Sequence, residues 1–237
     1  FHHHQLTRDD CVKALDFLDQ AILLDPNYAA AYAWKACVLG QAAGRGFLDN
    51  PQALVEGATD AVSMALRLDE NEVEAHRVMA EIAIDNKRLP RAVFHNDRAL
   101  TLSPCDPRLL AQKGELMTWL GQPEKGCDWL NLAMRLDPYS APLWSHLLGR
   151  AQLMCGDYAT AADNFLNSSF PRFGYHAEAA GGLAQSQKPD EARLQVEQVL
   201  RMNPGFTVSE YVDGLAFADP ADRQRHKDIL ATTRLPL

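Results

Sequence analysis

Along most of the chain, apolar residues recur at three- and four-residue intervals, the spacing that keeps them on one face of a helix. Ala14, Leu18 and Ala21 form the first series, and Ala58, Val62 and Ala65 repeat it. Ala92 and Ala99, then Leu130 and Ala133, then Phe165, then Ala192 and Val196 carry the same theme onward. Gly126 stands where the fourth series would place an alanine. Small residues at these positions let paired helices approach to the short end of the usual interaxial range. The series are separated by near-identical breaks: "LLDPNY", "RLDENE", "TLSPCD", "RLDPYS" and "RMNPGF". Pro26 to Glu70 is 44 residues, Glu70 to Pro104 and Pro104 to Pro138 are 34 each, and Pro138 to Pro204 is 66. A period near 34 is that of helix-turn-helix repeats. The pattern predicts an all-α chain with a repeat array over residues 1–204, its units ending near 26, 70, 104, 138, 172 and 204. A capping segment is expected over 205–237.

The units are predicted to be uneven. The first shows only its second helix, from about Thr7 to Leu24, with Thr7 or Asp9 as N-cap. The preceding "FHHHQL" reads as the tail of a truncated helix. The run His2, His3, His4 is also open to a tag-remnant or a metal-site reading, but consecutive helical residues point about 100° apart and cannot all ligate one ion. The second unit carries about ten extra residues, "RGFLDNPQAL", in which Asn50-Pro51 marks a helix start. The unit after Pro138 is offset by one residue, and "FPRFGYHAEAAGGLAQSQ" predicts a loose, glycine-containing helix before "PDEARLQVEQVLRMNP". Beyond Pro204 the period stops. "ADPADRQRHKDIL" predicts a last helix with Asp219 as N-cap, Pro220 at its first position and a polar outer face.

One stretch, "SHLLGRAQLMCGDYATAADNFLNSSF", carries a family resemblance. Its Gly149, Gly156, Tyr158, Ala161 and Phe165 resemble the tetratricopeptide repeat, with Trp144 one residue early. The resemblance extends over about residues 5–204 and implies a right-handed superhelical solenoid of about five to six hairpins with a C-terminal capping helix. In that family the first helix of each unit lines a concave face that holds extended peptides or partner helices. The family's groove positions fall here on Glu74, Arg77 and Glu81, then Arg108, Glu115 and Trp119, then His146 and Arg150. This strip of mixed charge with aromatic content resembles a peptide groove more than a phosphate track, although any solvated helix face also mixes its charges. The asparagines and lysines of the family's chaperone-tail clamp are missing from the matching places, so a C-terminal carboxylate ligand is not implied.

A narrower resemblance, in phrasing and order, links "TRDDCVKALDFLDQAILLDPNYAAAYAWKA", "RLDENEVEAHRVMAEIAI" and "FADPADRQRHKDILATTRLPL" to the C-terminal repeat regions of bacterial cyclase-type or winged-helix signalling proteins. It implies a regulatory array within a larger protein, binding a protein or peptide partner or a second copy of itself. Other roles remain open: a small-molecule sensor with its pocket where the extra residues fold over the groove near Trp34, or a constitutive assembly scaffold.

Composition narrows the rest. The 237 residues are 47% hydrophobic and 23% charged with a formal net charge of -8, a balance that suits a folded domain and disfavours nucleic acid. The most apolar stretch, "YAAAYAWKACVLGQAAG", holds a lysine and is shorter than the ~20 residues of a membrane span. Five dispersed cysteines without a C-x-x-C pair suit reduced thiols in a cytoplasmic setting. No nucleophile elbow, phosphate loop, dinucleotide fingerprint or H-E-x-x-H is present. No catalysis, cofactor or metal is therefore expected. The start on Phe1 rather than methionine, with no signal peptide, suggests a fragment of a longer protein.

Overall fold

The computed structural model describes residues 7–169 and 172–237; the histidine run His2–His4 lies outside them. Among the described residues the chain forms thirteen helices and no strand. It divides into two compact units, Phe1–Pro104 and Cys105–Leu237.

The first unit contains α1 (Arg8–Leu24), α2 (Ala29–Arg45), α3 (Pro51–Leu68), α4 (Val73–Asp85) and α5 (Leu89–Leu102). Thr7 caps α1 by accepting the Asp10 N–H. Helices α2 with α3, and α4 with α5, pair as antiparallel hairpins, and α2 also packs on α4. The alanines of the sequence pattern sit in the hairpin seams: Ala58, Ala65, Ala92 and Ala99 are buried. Burial of Ala33, Ala36, Val62, Val78 and Met79 builds the main core of this unit. The extra residues of the second unit lengthen its hairpin instead of forming a flap over Trp34. Helix α2 has 17 residues and α3 has 18, against 13 in α4 and 14 in α5. Only 46–50 remain as loop, closed by Gly46 in the left-handed region and by Asn50, whose side chain accepts the Ala53 N–H. Phe47 from this loop packs against Cys11, Ala14 and Val38, while the Arg8 side chain donates to its carbonyl.

The second unit contains α6 (Pro107–Trp119), α7 (Pro123–Leu136), α8 (Ala141–Cys155), α9 (Tyr158–Leu166), α10 (Phe173–Gln185), α11 (Pro189–Met202), α12 (Val208–Gly214) and α13 (Pro220–Ala231). Three hairpins, α6/α7, α8/α9 and α10/α11, stack in order. Gly114 and Gly126 bring α6 and α7 so close that a Cβ on either would lie within 3 Å of the opposite backbone carbonyl.

The repeated punctuation has a repeated physical cause. Five of the second helices, α1, α3, α5, α7 and α11, end where the next N–H bonds back to a fixed seam residue: Asp25 to Ala21, Asp69 to Ala65, Ser103 to Ala99, Asp137 to Ala133 and Asn203 to Val199. The aspartates at 25, 69 and 137 then turn the chain by accepting a backbone N–H two residues on. Within four of the hairpins the turn between helices passes through one left-handed residue: Lys87, Gly121, Gly156 or Gln187. The following N–H closes onto the first helix's carbonyl in each case, as in Arg88 to Ala83 and Gln122 to Met117.

After α11 the chain leaves the repeat. Phe206, Val208, Val212, Leu230 and Leu235 pack on Ala177, Ala180, Val196 and Val199, covering the last hairpin. Asp219 caps α13 with Pro220 in its first turn.

Candidate functional site

Helix α4 presents the first group of expected groove residues. Glu81 is exposed, whereas Glu74 is buried. The Arg77 guanidinium bonds to Glu74 Oε1 at 2.6 Å and reaches Cys37 Sγ of α2 at 2.8 Å. Glu74 and Arg77 are thus already joined as an ion pair, with 17% of the Arg77 side chain still accessible. Behind this surface, His76 and His95 meet Nδ1 to Nδ1 at 2.9 Å. Burial, with neighbouring His76 and Arg91, lowers His95 to about 4.

The remaining candidates lie in the second unit, and the structure brings most of them into one network with the C-terminal segment. Arg108, at the start of α6, makes a two-point contact to Asp106. Glu115 accepts from Trp119 Nε1 at 3.2 Å. The Arg150 guanidinium lies 4.9 Å from the Trp119 ring centre and makes a two-point pair with Glu178 of α10, Nε to Oε1 at 2.9 Å and Nη2 to Oε2 at 3.0 Å. Neither side chain of this pair has more than 8% of its surface exposed. His146 stacks on Tyr175 at 4.6 Å, and burial beside Arg150 pushes its imidazole down to about 3.

The segment that follows the array packs against this network. Phe217 meets the Trp119 ring edge-on at 4.9 Å, and the Ala218 N–H donates to the Trp119 carbonyl at 2.9 Å, satisfying a helix-end acceptor. His226 of α13, fully buried, places Nε2 3.3 Å from Glu178 Oε1. Burial alone would raise the Glu178 carboxyl, but Arg150 and His226 together hold it at about 2. The glycines of α10 make room for the segment. A Cβ on Gly174 would fall 2.7 Å from the Tyr211 ring, and one on Gly181 would fall 2.9 Å from Leu230.

Sequence reasoning missed Glu178, Tyr211, Phe217 and His226. One signal was present: a lone glutamate inside the small-residue run "HAEAAGGLA" implies a buried charge that needs a partner. Its histidine partner, inside the polar "DRQRHKD", gave no comparable sign. Among the described residues no cluster of three or more metal-ligating side chains occurs, and no helix is long and apolar enough to cross a membrane.

No family model matches the chain. Over 84 residues, 35% of this chain and 10% of the relative, it is 34% identical to the human protein named tetratricopeptide repeat protein 13. Among solved structures it resembles the Cut9-Hcn1 hetero-tetramer of the APC/C, with a TM-score of 0.68 at 16% identity over 87% of this chain and 39% of that one. It also resembles pilF of Pseudomonas aeruginosa, with a TM-score of 0.59 at 18% identity over 90% of this chain and 98% of that one. The chain therefore spans a small part of its human relative and well under half of the matched chain of the Cut9-Hcn1 hetero-tetramer. These likenesses establish the fold, that of stacked tetratricopeptide-type hairpins.

Proposed function

We propose that this chain is a non-catalytic interaction scaffold that holds a protein or peptide partner on the α4 surface of its first unit, through Glu81 and the Glu74–Arg77 pair. The observation that carries this reading is the different state of the two helix surfaces. Trp119, Arg150 and Glu178 are covered by the chain's own C-terminal segment, whereas Glu81 is exposed and the Arg77 guanidinium is already fixed by Glu74 and Cys37. A pre-oriented ion pair loses little side-chain freedom when a partner arrives. The finer reading is a regulatory array within a larger bacterial signalling protein, supported by the phrasing shared with the cyclase-type and winged-helix regulators. The test is crosslinking and co-purification with the full-length protein carrying Glu81→Lys at this exposed position, its fold checked by circular dichroism. A partner or second copy lost from this variant supports the α4 surface; unchanged association defeats it.

A further inference from the structure

The lengthened hairpin has a second effect on the first unit. The six residues that α3 turns toward one side, from Gln52 to Ser63, line a cavity of about 510 Å³ shared with the end of α4 and the start of α5. Gln52 belongs to the extra residues, so the added length of α3 supplies one end of this wall. The α3 wall is acidic, carrying Glu56 and Asp60; the opposite wall is basic, carrying Arg88, the residue that precedes α5, and Arg91 of α5; Met79, Ile82 and Ala83 of α4 form an apolar floor. All four charged residues are exposed. Among the described residues no ion pair joins the two walls: Glu56 accepts from Gln52 within its own helix, and Arg91 donates to the Met79 sulfur.

Opposite charges on the two sides of one groove are complementary to a ligand that carries both signs, one on each flank. Both walls are helices seated on α4, which fixes the gap. The α3 wall runs roughly 16 Å at about 1.5 Å per residue, three helical turns, so a third helix can lie in the groove with its ridge on the floor. We infer that this groove is a docking site for an amphipathic helix of a protein partner. That helix has aliphatic residues along its seam, basic residues on the flank facing α3 and acidic residues on the flank facing α5. This site is separate from the α4 surface proposed above and stands or falls independently of it.

The test uses the full chain and three fluorescein-labelled alanine-based helices of about 15 residues, all with the same leucine seam. One has lysines on one flank and glutamates on the other, one has lysines on both, and one has glutamates on both. Fluorescence anisotropy should show the mixed-flank helix binding at least about tenfold more tightly than either single-sign helix. In the surface variant R88E/R91E, whose walls are both acidic, the preference should pass to the all-lysine helix. Equal affinity for the three probes, or an unchanged preference in that variant with its circular dichroism intact, would overturn the proposal.

Discussion

The α4 surface of the first unit and the inner face of α6, α8 and α10 in the second occupy corresponding repeat positions, yet they are finished differently. On α4 Glu74 and Arg77 pair locally and Glu81 is exposed. In the second unit Arg150 finds its carboxylate on the next hairpin's first helix, and the C-terminal segment seals the pair with Phe217 and His226. The repeat face therefore keeps one exposed charge, Glu81, in the first unit and is interior at Arg150 in the second. The deciding residues are the partners: a glycine-bearing α10 that lets another helix approach, and a segment long enough to reach α6.

The largest effect should come from breaking the sealed pair. Glu178→Ala strands Arg150 without its carboxylate and should lower stability by about 3 to 5 kcal/mol, whereas Glu81→Lys should stay within about 0.5 kcal/mol. Urea unfolding of both variants checks this, and equal costs would erase the distinction between the two faces. Glycine replacement should next show opposite signs. Gly174→Ala drives a Cβ into Tyr211, and its overpacking cost of about 1 to 3 kcal/mol exceeds the gain in helix propensity. Gly40→Ala on α2 meets nothing within 4 Å and should gain up to about 1 kcal/mol. Thermal melts of the two variants should therefore move in opposite directions.

Acid should weaken both units, the second over a wider range. His95 and His146 ionise in the folded chain at about 4 and about 3, against an ordinary 6.5. The unfolded chain then binds protons that the folded chain refuses, so stability is lost as pH falls below about 6.5. Glu178, held at about 2 against 4.5, withdraws its own contribution below about 4.5. Urea midpoints measured from pH 7 to pH 3 should fall throughout, and His146→Phe should flatten the upper part of the slope. A gain of similar size to that at Gly40 belongs to the turns. Lys87 and Gln187 hold the left-handed conformation that Gly121 and Gly156 hold without strain, so glycine at either place should gain up to about 1 kcal/mol. A loss at both would mean that their side chains contribute more than the strain costs.

The fold was legible because its determinants are local and repeated. Ala65, Ala99 and Ala133 receive the turn N–H and lie in the seams, and Thr7, Asn50 and Asp219 cap the helices whose starts they mark. The sealed face was legible only in part. Trp119 and Arg150 could be placed on it by counting, but Glu178 sits one unit further on at a position the period does not single out. Phe217 and His226 lie beyond the last repeat, where no spacing predicts which helix they meet. The ten extra residues showed in the spacing as an insertion, but nothing local told loop from helix extension until α2 and α3 were seen to lengthen together.

The backbone tie from Ala218 to Trp119 joins the last part of the second unit to its first helix. A stack in which each hairpin touches only its neighbours can fray from an end, one hairpin at a time. With its tail hooked onto the opposite end, the second unit has no loose end to peel from, and its three hairpins should melt as a single cooperative block.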